Sequence, residues 1–232
     1  MEGFHQVDLF ATKGIEYILV IGFLVAFTLY IKYLNGTPKK LRQKVNEFEP
    51  QLSLVDWFYL AKDYLYHQGH SWVLPQGATE VKIGVDDFLQ KMVGKPDKIN
   101  LPDVGAAIYQ NKVGWNFEID NKTIDILAPI DGKVLEINKE VLNNPELLNK
   151  NSYKDGWLMK VEVKNLPTQK KVLFTGNLAK AWIEDTIENV NLMMNGEPGV
   201  VMQDGGSLMP GFIKEISKEN WHNEIKKFLL TE

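Results

Sequence analysis

The 232-residue chain contains no cysteine. That absence removes disulfides, iron–sulfur ligation, zinc–thiolate sites and a catalytic thiol together, so any redox chemistry has to come from an attached group or a partner. Histidine is scarce, at four residues. The spacing His67-Gln68-Gly69-His70 suggests paired metal ligands, but the glycine breaks a helix that would present both rings, and no third ligand lies nearby, so no metal is expected. There is no Walker or Rossmann glycine loop to cradle a phosphate. Positive charge is not in excess: 26 Lys and Arg stand against 30 Asp and Glu, a formal charge of −4, and the lysines are scattered, which excludes the basic field of a nucleic-acid binder. Asp204-Gly205-Gly206-Ser207 has the look of a hydrolase loop, yet the order is wrong for a nucleophile elbow and turn chemistry accounts for it. With no catalytic set to assign, the chain is not expected to be an enzyme.

What is present begins with an apolar run. Residues 15–34 supply about twenty mostly apolar residues, the length that crosses roughly 30 Å of hydrocarbon, with Glu16 and Lys32 at the ends and Tyr30 and Tyr33 suited to the interface. A cleaved signal peptide fits less well, because the preceding region is acidic and Leu34-Asn35-Gly36-Thr37 offers no small-x-small cleavage site. Lys32, Lys39, Lys40, Arg42 and Lys44 crowd the C-terminal flank. The positive-inside bias then predicts a single-pass inner-membrane protein with a short external tail, 1–14, and the bulk of the chain cytoplasmic.

Residues 35–50 read as a juxtamembrane linker. Leu54, Trp57, Phe58, Leu60, Ala61, Tyr64 and Leu65 fall at helical spacing and predict an amphipathic helix over 52–66. A short helix is predicted over 85–93, with Asp86 or Asp87 near its N-terminus. Another is expected over 178–194, ended by Gly196-Glu197-Pro198-Gly199. Residues 195–232 then read as an extension of a β-hairpin, over 200–213, and a helix over 221–230.

The centre of the chain is β-patterned. Two apolar runs flank Asp120-Asn121-Lys122, and Asp next to Asn favours the left-handed angles of a two-residue hairpin turn, so Lys122 is expected at or beside an exposed tip. Glu118 and Asp120 flank that tip. Pro129-Ile130-Asp131-Gly132 reads as a further turn into a strand over 133–137, and residues 156–163 return as an alternating strand.

These residues resemble the H protein of the glycine cleavage system, a lipoyl-domain carrier. Asp125-Ile126-Leu127-Ala128-Pro129 and Gly132 match the family's Asp-Ile-Tyr-Ser-Pro and its Gly turn. Asn138, Pro145-Glu146-Leu147 and Gly156-Trp157-Leu158 follow in the family's order, and upstream stand His70-Ser71-Trp72-Val73, 81–88 and Leu101-Pro102-Asp103-Val104-Gly105. The match runs from about His70 to Val163. In one respect the chain departs from the pattern: four positions before Asp125, where the family carries its lipoylated lysine, stands Asn121, and the lysine is displaced to Lys122.

The resemblance implies a mainly β fold with flanking helices, a lipoyl/biotinyl-type barrel-sandwich hybrid over 51–194, carried by one N-terminal transmembrane helix. The displaced lysine and the apolar run lead to the expectation of a non-lipoylated, membrane-anchored accessory subunit that docks a protein partner in a membrane redox or respiratory assembly, without a cofactor. The alternative is a working lipoyl carrier in which Lys122 is the modified residue.

Overall fold

A computed structural model describes residues 9–34, 52–55, 57–194 and 208–232. The chain divides into two compact units, Met1–Phe48 and Glu49–Glu232.

The first unit contains helix α1 (Leu9–Leu34). Its side chains over 17–30 are exposed on every face, among them Ile18, Leu19, Phe23 and Leu24, and the Thr28 hydroxyl turns back to donate to the Leu24 carbonyl at 2.7 Å. Among the described residues no helix is long and apolar enough to cross a membrane. The stretch expected to span a membrane, 15–34, is part of helix α1 and is not shown as a span among the described residues.

The second unit is mainly β with flanking helices. A six-stranded antiparallel sheet runs in the order β3 (Leu65–Tyr66), β4 (Ser71–Pro75), β5 (Glu80–Val85), β11 (Met159–Glu162), β10 (Gly132–Ile137), β7 (Ala107–Ile108). A three-stranded sheet joins β6 (Lys98–Asn100), β8 (Val113–Ile119) and β9 (Lys122–Leu127), and β1 (Leu52–Val55) pairs with β2 (Phe58–Ala61). Alternation builds the core. Val81, Ile83 and Val85 of β5 and Trp115, Phe117 and Ile119 of β8 are buried at every second position. Gly84 lets the Trp72 ring lie flat on β5, since a Cβ there would stand 2.3 Å from Trp72 Cζ2, and the indole then donates to the Val85 carbonyl at 2.7 Å.

Helix α2 (Asp87–Val93) is capped by Asp86, whose carboxylate accepts from Leu89 N at 2.8 Å. Two short helices, α3 (Lys139–Asn143) and α4 (Glu146–Asn151), fill the polar excursion after β10. Asn138 caps α3 and also donates to the carbonyls of Asp155 and Trp157 at 2.9 and 2.8 Å, pinning the loop that leads into β11. After the short α5 (Leu166–Gln169), α6 (Gly176–Met193) lays Ala179, Ile183, Ile187 and Val190 on the core at the spacing of one helical face.

The predicted helix over 52–66 does not form. Val55 pairs with Phe58, and the Tyr66 hydroxyl bonds both the N–H and the carbonyl of Ala61, at 2.7 and 3.0 Å, holding the backbone extended. Part of the predicted hairpin over 200–213 lies outside the described residues. From Leu208 onward the chain instead enters α7 (Phe212–Ser217), started by Gly211 in a left-handed conformation, and then α8 (Trp221–Leu229). Phe212, Ile213, Ile225 and Leu229 are sealed from water, with Phe212 and Phe228 packed on Phe88. At about 1.5–3 kcal/mol each, those four side chains fix the helical pair to the domain by an amount of order 10 kcal/mol.

Candidate functional site: the β8–β9 hairpin

Ile119 pairs with Lys122, so Asp120 and Asn121 alone form the turn, at φ of 49° and 60°. Two consecutive left-handed residues define a type I′ turn, which the Asp-Asn pair adopts at low cost. Asp97 reinforces it by accepting from the Asp120 N–H at 2.9 Å. Asn121 is exposed at the tip.

Lys122 is the first residue of β9 and not a turn centre. Side chains two apart on a strand share a face, so Lys122 points the same way as the buried Ile124 and Ile126, while Thr123 faces water. The lysine is accordingly half-buried. Its ammonium lies 4.8 Å from the centroid of the Trp221 ring on α8, and the Lys214 ammonium of α7 lies 5.2 Å from the same ring. Lys214 also pairs with the Asp120 carboxylate, and His222 Nε2 donates to the Thr123 carbonyl at 2.9 Å. Glu118 is held on the other strand by Asn100, at 2.7 Å, and by Lys98, at 3.5 Å; the Asn100 amide first, and Lys98 after it, hold its carboxyl below the usual range.

The hairpin thus brings Glu118, Asp120, Asn121 and Lys122 together, and the chain's C-terminus adds Trp221, Lys214 and His222. Sequence reasoning placed the first four at the tip and missed the other three. Lys122 and Trp221 are 99 positions apart, and α8 alone, with apolar residues on one face, gives no sign of what it covers. His67 and His70 do not converge on a metal: His67 Nε2 bonds Asn111 Oδ1 at 2.7 Å and His70 Nδ1 bonds Asp86 at 2.8 Å. Among the described residues no cluster of His, Asp and Glu could hold an ion.

For a lipoyl group the chemistry of the tip is restrictive. The group is joined through a lysine amine, which the Asn121 amide cannot replace, and the amine that stands nearest the turn on this hairpin is that of Lys122. Lys122 fits the attachment chemistry with its place shifted by one residue.

The domain is thus mainly β, with helices on its flanks, and presents Lys122 beside the tip of a tight hairpin. Residues 64–186 match the family model for the glycine cleavage H-protein, and the chain belongs to that family. It is 38% identical over 104 residues to the glycine cleavage system H protein of Carboxydothermus hydrogenoformans, covering 45% of this chain and 79% of that one. Its identity to the mitochondrial glycine cleavage system H protein 2 of Arabidopsis thaliana is 34% over 119 residues, 51% of this chain and 76% of that one. Among solved structures, a glycine cleavage system H protein from Mycobacterium marinum aligns with a TM-score of 0.45 and 22% identity over 55% of this chain and 98% of that one. The family is one of carriers and not of catalysts.

Proposed function

We propose that the chain is an H-protein-type carrier built on a barrel-sandwich hybrid, with Lys122 as the residue that takes the lipoyl group. The observation that carries this reading is the family match over 64–186 together with a lysine immediately after a type I′ turn. It favours a carrier over the accessory subunit expected from the displaced lysine. When bound, the group supplies a dithiolane that carries electrons or acyl groups between partner sites. The chain's own part is to hold the stem: β8 and β9 keep the attachment point rigid, and the two-residue turn keeps it at the domain's edge. Incubating the full chain with a lipoate–protein ligase, lipoate and ATP tests the reading. A single lipoyl adduct that maps to Lys122 and disappears in Lys122→Arg is expected, and an unmodified mass both there and in native material overturns it.

A second reading has one specific observation in its favour. Asn121 holds the place of the family's lysine, and the Lys122 side chain turns inward to an aromatic ring. A module that has lost its prosthetic group and serves as a docking surface would have this form. In that case Lys122→Arg leaves assembly with the partner intact.

We further propose that α1 tethers the module to the cytoplasmic face of the inner membrane. A helix apolar on all sides has no polar face to give to water, and 17–30 are exposed all round. The basic residues that follow, Lys39, Lys40, Arg42 and Lys44, suit the anionic headgroups of the cytoplasmic leaflet. Retention in the membrane pellet after an alkaline carbonate wash is expected, and release into the wash overturns the tether.

A further inference from the structure

The C-terminal helical pair has no place in the family match, which ends at residue 186. We propose that it is a side-chain clamp on the attachment lysine, and that Trp221 is the positioning residue that governs how freely the Lys122 amine meets an acyl donor. This inference deepens the carrier reading, but its geometry does not depend on Lys122 being lipoylated.

Three contacts between α7–α8 and the hairpin converge within four residues of chain. Lys214 pairs with Asp120, the Trp221 ring receives the Lys122 ammonium, and His222 donates to the Thr123 carbonyl. Asp120, through its carboxylate, and Thr123, through its carbonyl, bracket Lys122, so the chain on both sides of it is tied to the helices. Trp221 is itself nearly buried, at 7% exposure, which fixes the ring in one orientation. Two ammonium groups share its faces, and the Asp120 carboxylate offsets one of them.

The clamp opens at the side chain and not at the helices. Phe212, Ile213, Ile225 and Leu229 anchor the pair in the core, so swinging it away would expose four sealed apolar side chains. Turning the Lys122 side chain off the ring gives up one cation–π contact at a part-exposed site, a far smaller loss. The amine therefore exchanges between a ring-bound and a solvent-directed rotamer, and only the second can attack an activated acyl group. Off the ring, the ammonium loses one proton to solvent; attack by the neutral amine then forms the Nζ–C amide bond, expels the donor's leaving group, and releases a second proton from Nζ.

Competitive acetylation of the full-length protein by an N-hydroxysuccinimide ester of acetate, with each lysine quantified by peptide mass spectrometry, tests the proposal. Exposed Lys133, on β10 of the same domain, is the internal reference. Lys122 is expected to react more slowly than Lys133, and Trp221→Leu, which keeps apolar bulk, should raise the ratio roughly two- to five-fold, the size of an exposed cation–π contact. Trp221→Phe should fall between the two and covers the case in which the leucine variant does not fold. Equal rates at Lys122 and Lys133 in the native chain overturn the clamp, as does an unchanged ratio in a folded Trp221→Leu. The ligase assay separates the two ideas: slow acetylation without any lipoylation keeps the clamp and removes the carrier, whereas lipoylation with equal acetylation rates does the reverse.

Discussion

His70 Nδ1 lies 2.8 Å from Asp86 Oδ2, and both side chains are sealed from water. The same Asp86 uses its other oxygen to cap α2 at Leu89 N, and its own N–H donates to the His70 carbonyl at 3.1 Å. One carboxylate thus joins the start of β4 to the start of α2, while the His70 ring sits 4.2 Å from Phe88 and 4.7 Å from Trp182.

Asp86→Ala should remove a hydrogen bond to a charged group, about 1.5–3 kcal/mol, and a helix cap, about 1 kcal/mol, and so destabilise the domain by about 3 kcal/mol. Asp86→Asn keeps an oxygen for the cap and should lose less. Urea unfolding of the full chain and the two variants measures both, and equal losses would mean that the cap contributes nothing.

His67 gives stability a defined dependence on pH. Its Nδ1 accepts from Gly69 N at 3.0 Å, so the ring proton is on Nε2, which donates to Asn111 Oδ1 at 2.7 Å. Burial is the first cause that lowers its pKa from 6.5, with the nearby His70 adding to the effect and the Asn111 bond opposing it. Because the folded pKa lies below the unfolded one, the unfolded chain binds more protons as pH falls. The stability that the neutral ring provides is complete above about pH 6.5 and is lost as pH falls through the folded value. His67→Gln should therefore flatten the fall in Tm between pH 7.5 and 5.5; a slope identical to that of the native chain would exclude His67 as its source.

Gly132 opens β10, where its Cβ would stand 2.3 Å from Val161 Cγ1 and 2.5 Å from the Glu162 carbonyl. The carbonyl belongs to the β11 backbone and cannot step aside, so β10 and β11 must separate locally to admit a methyl group. Gly132→Ala should cost about 1–3 kcal/mol by overpacking. A thermal melt that leaves Tm unchanged would show that the pairing has slack that the distances do not suggest.

The parts of this molecule that were legible in the sequence are those fixed by neighbours in the chain. Asp120-Asn121 specifies a two-residue left-handed turn through local backbone preference, Asp86 or Asp87 an N-terminal acid on α2, 178–194 one apolar helical face, and 221–230 a helix. The segment over 52–66 was misread because Leu54, Phe58, Ala61 and Leu65 satisfy a helical period while the chain is in fact bent into strands by the Tyr66 hydroxyl on Ala61 and a left-handed Asp63 at φ 67°. Likewise 208–213 reads as the second strand of a hairpin, but Gly211 starts α7, whose Phe212 is drawn into the core beside Phe58 and Phe88. The site shows the same division. Its tip is readable, whereas the Trp221 ring over Lys122 depends on two segments 99 positions apart in the chain.

Lys122 and Asn121 differ less in distance from the tip than in the face they occupy. Asn121 is exposed at φ 60°, and Lys122 lies on the Ile124 side under the reach of Trp221. Exchanging them, as Asn121→Lys with Lys122→Ala, puts the amine in the family's place at a strain of about 1–2 kcal/mol for a left-handed lysine. It also empties the ring of one of its two cations, so the amine no longer has a bound state to leave. The initial rate of lipoyl incorporation, followed by intact mass, should then exceed that of the native chain by at least the two- to five-fold factor of one cation–π contact. A rate at or below the native one would mean that the ligase reads the hairpin as it stands, with Lys122 on β9, and that the one-residue shift is compensated within the recognition surface itself.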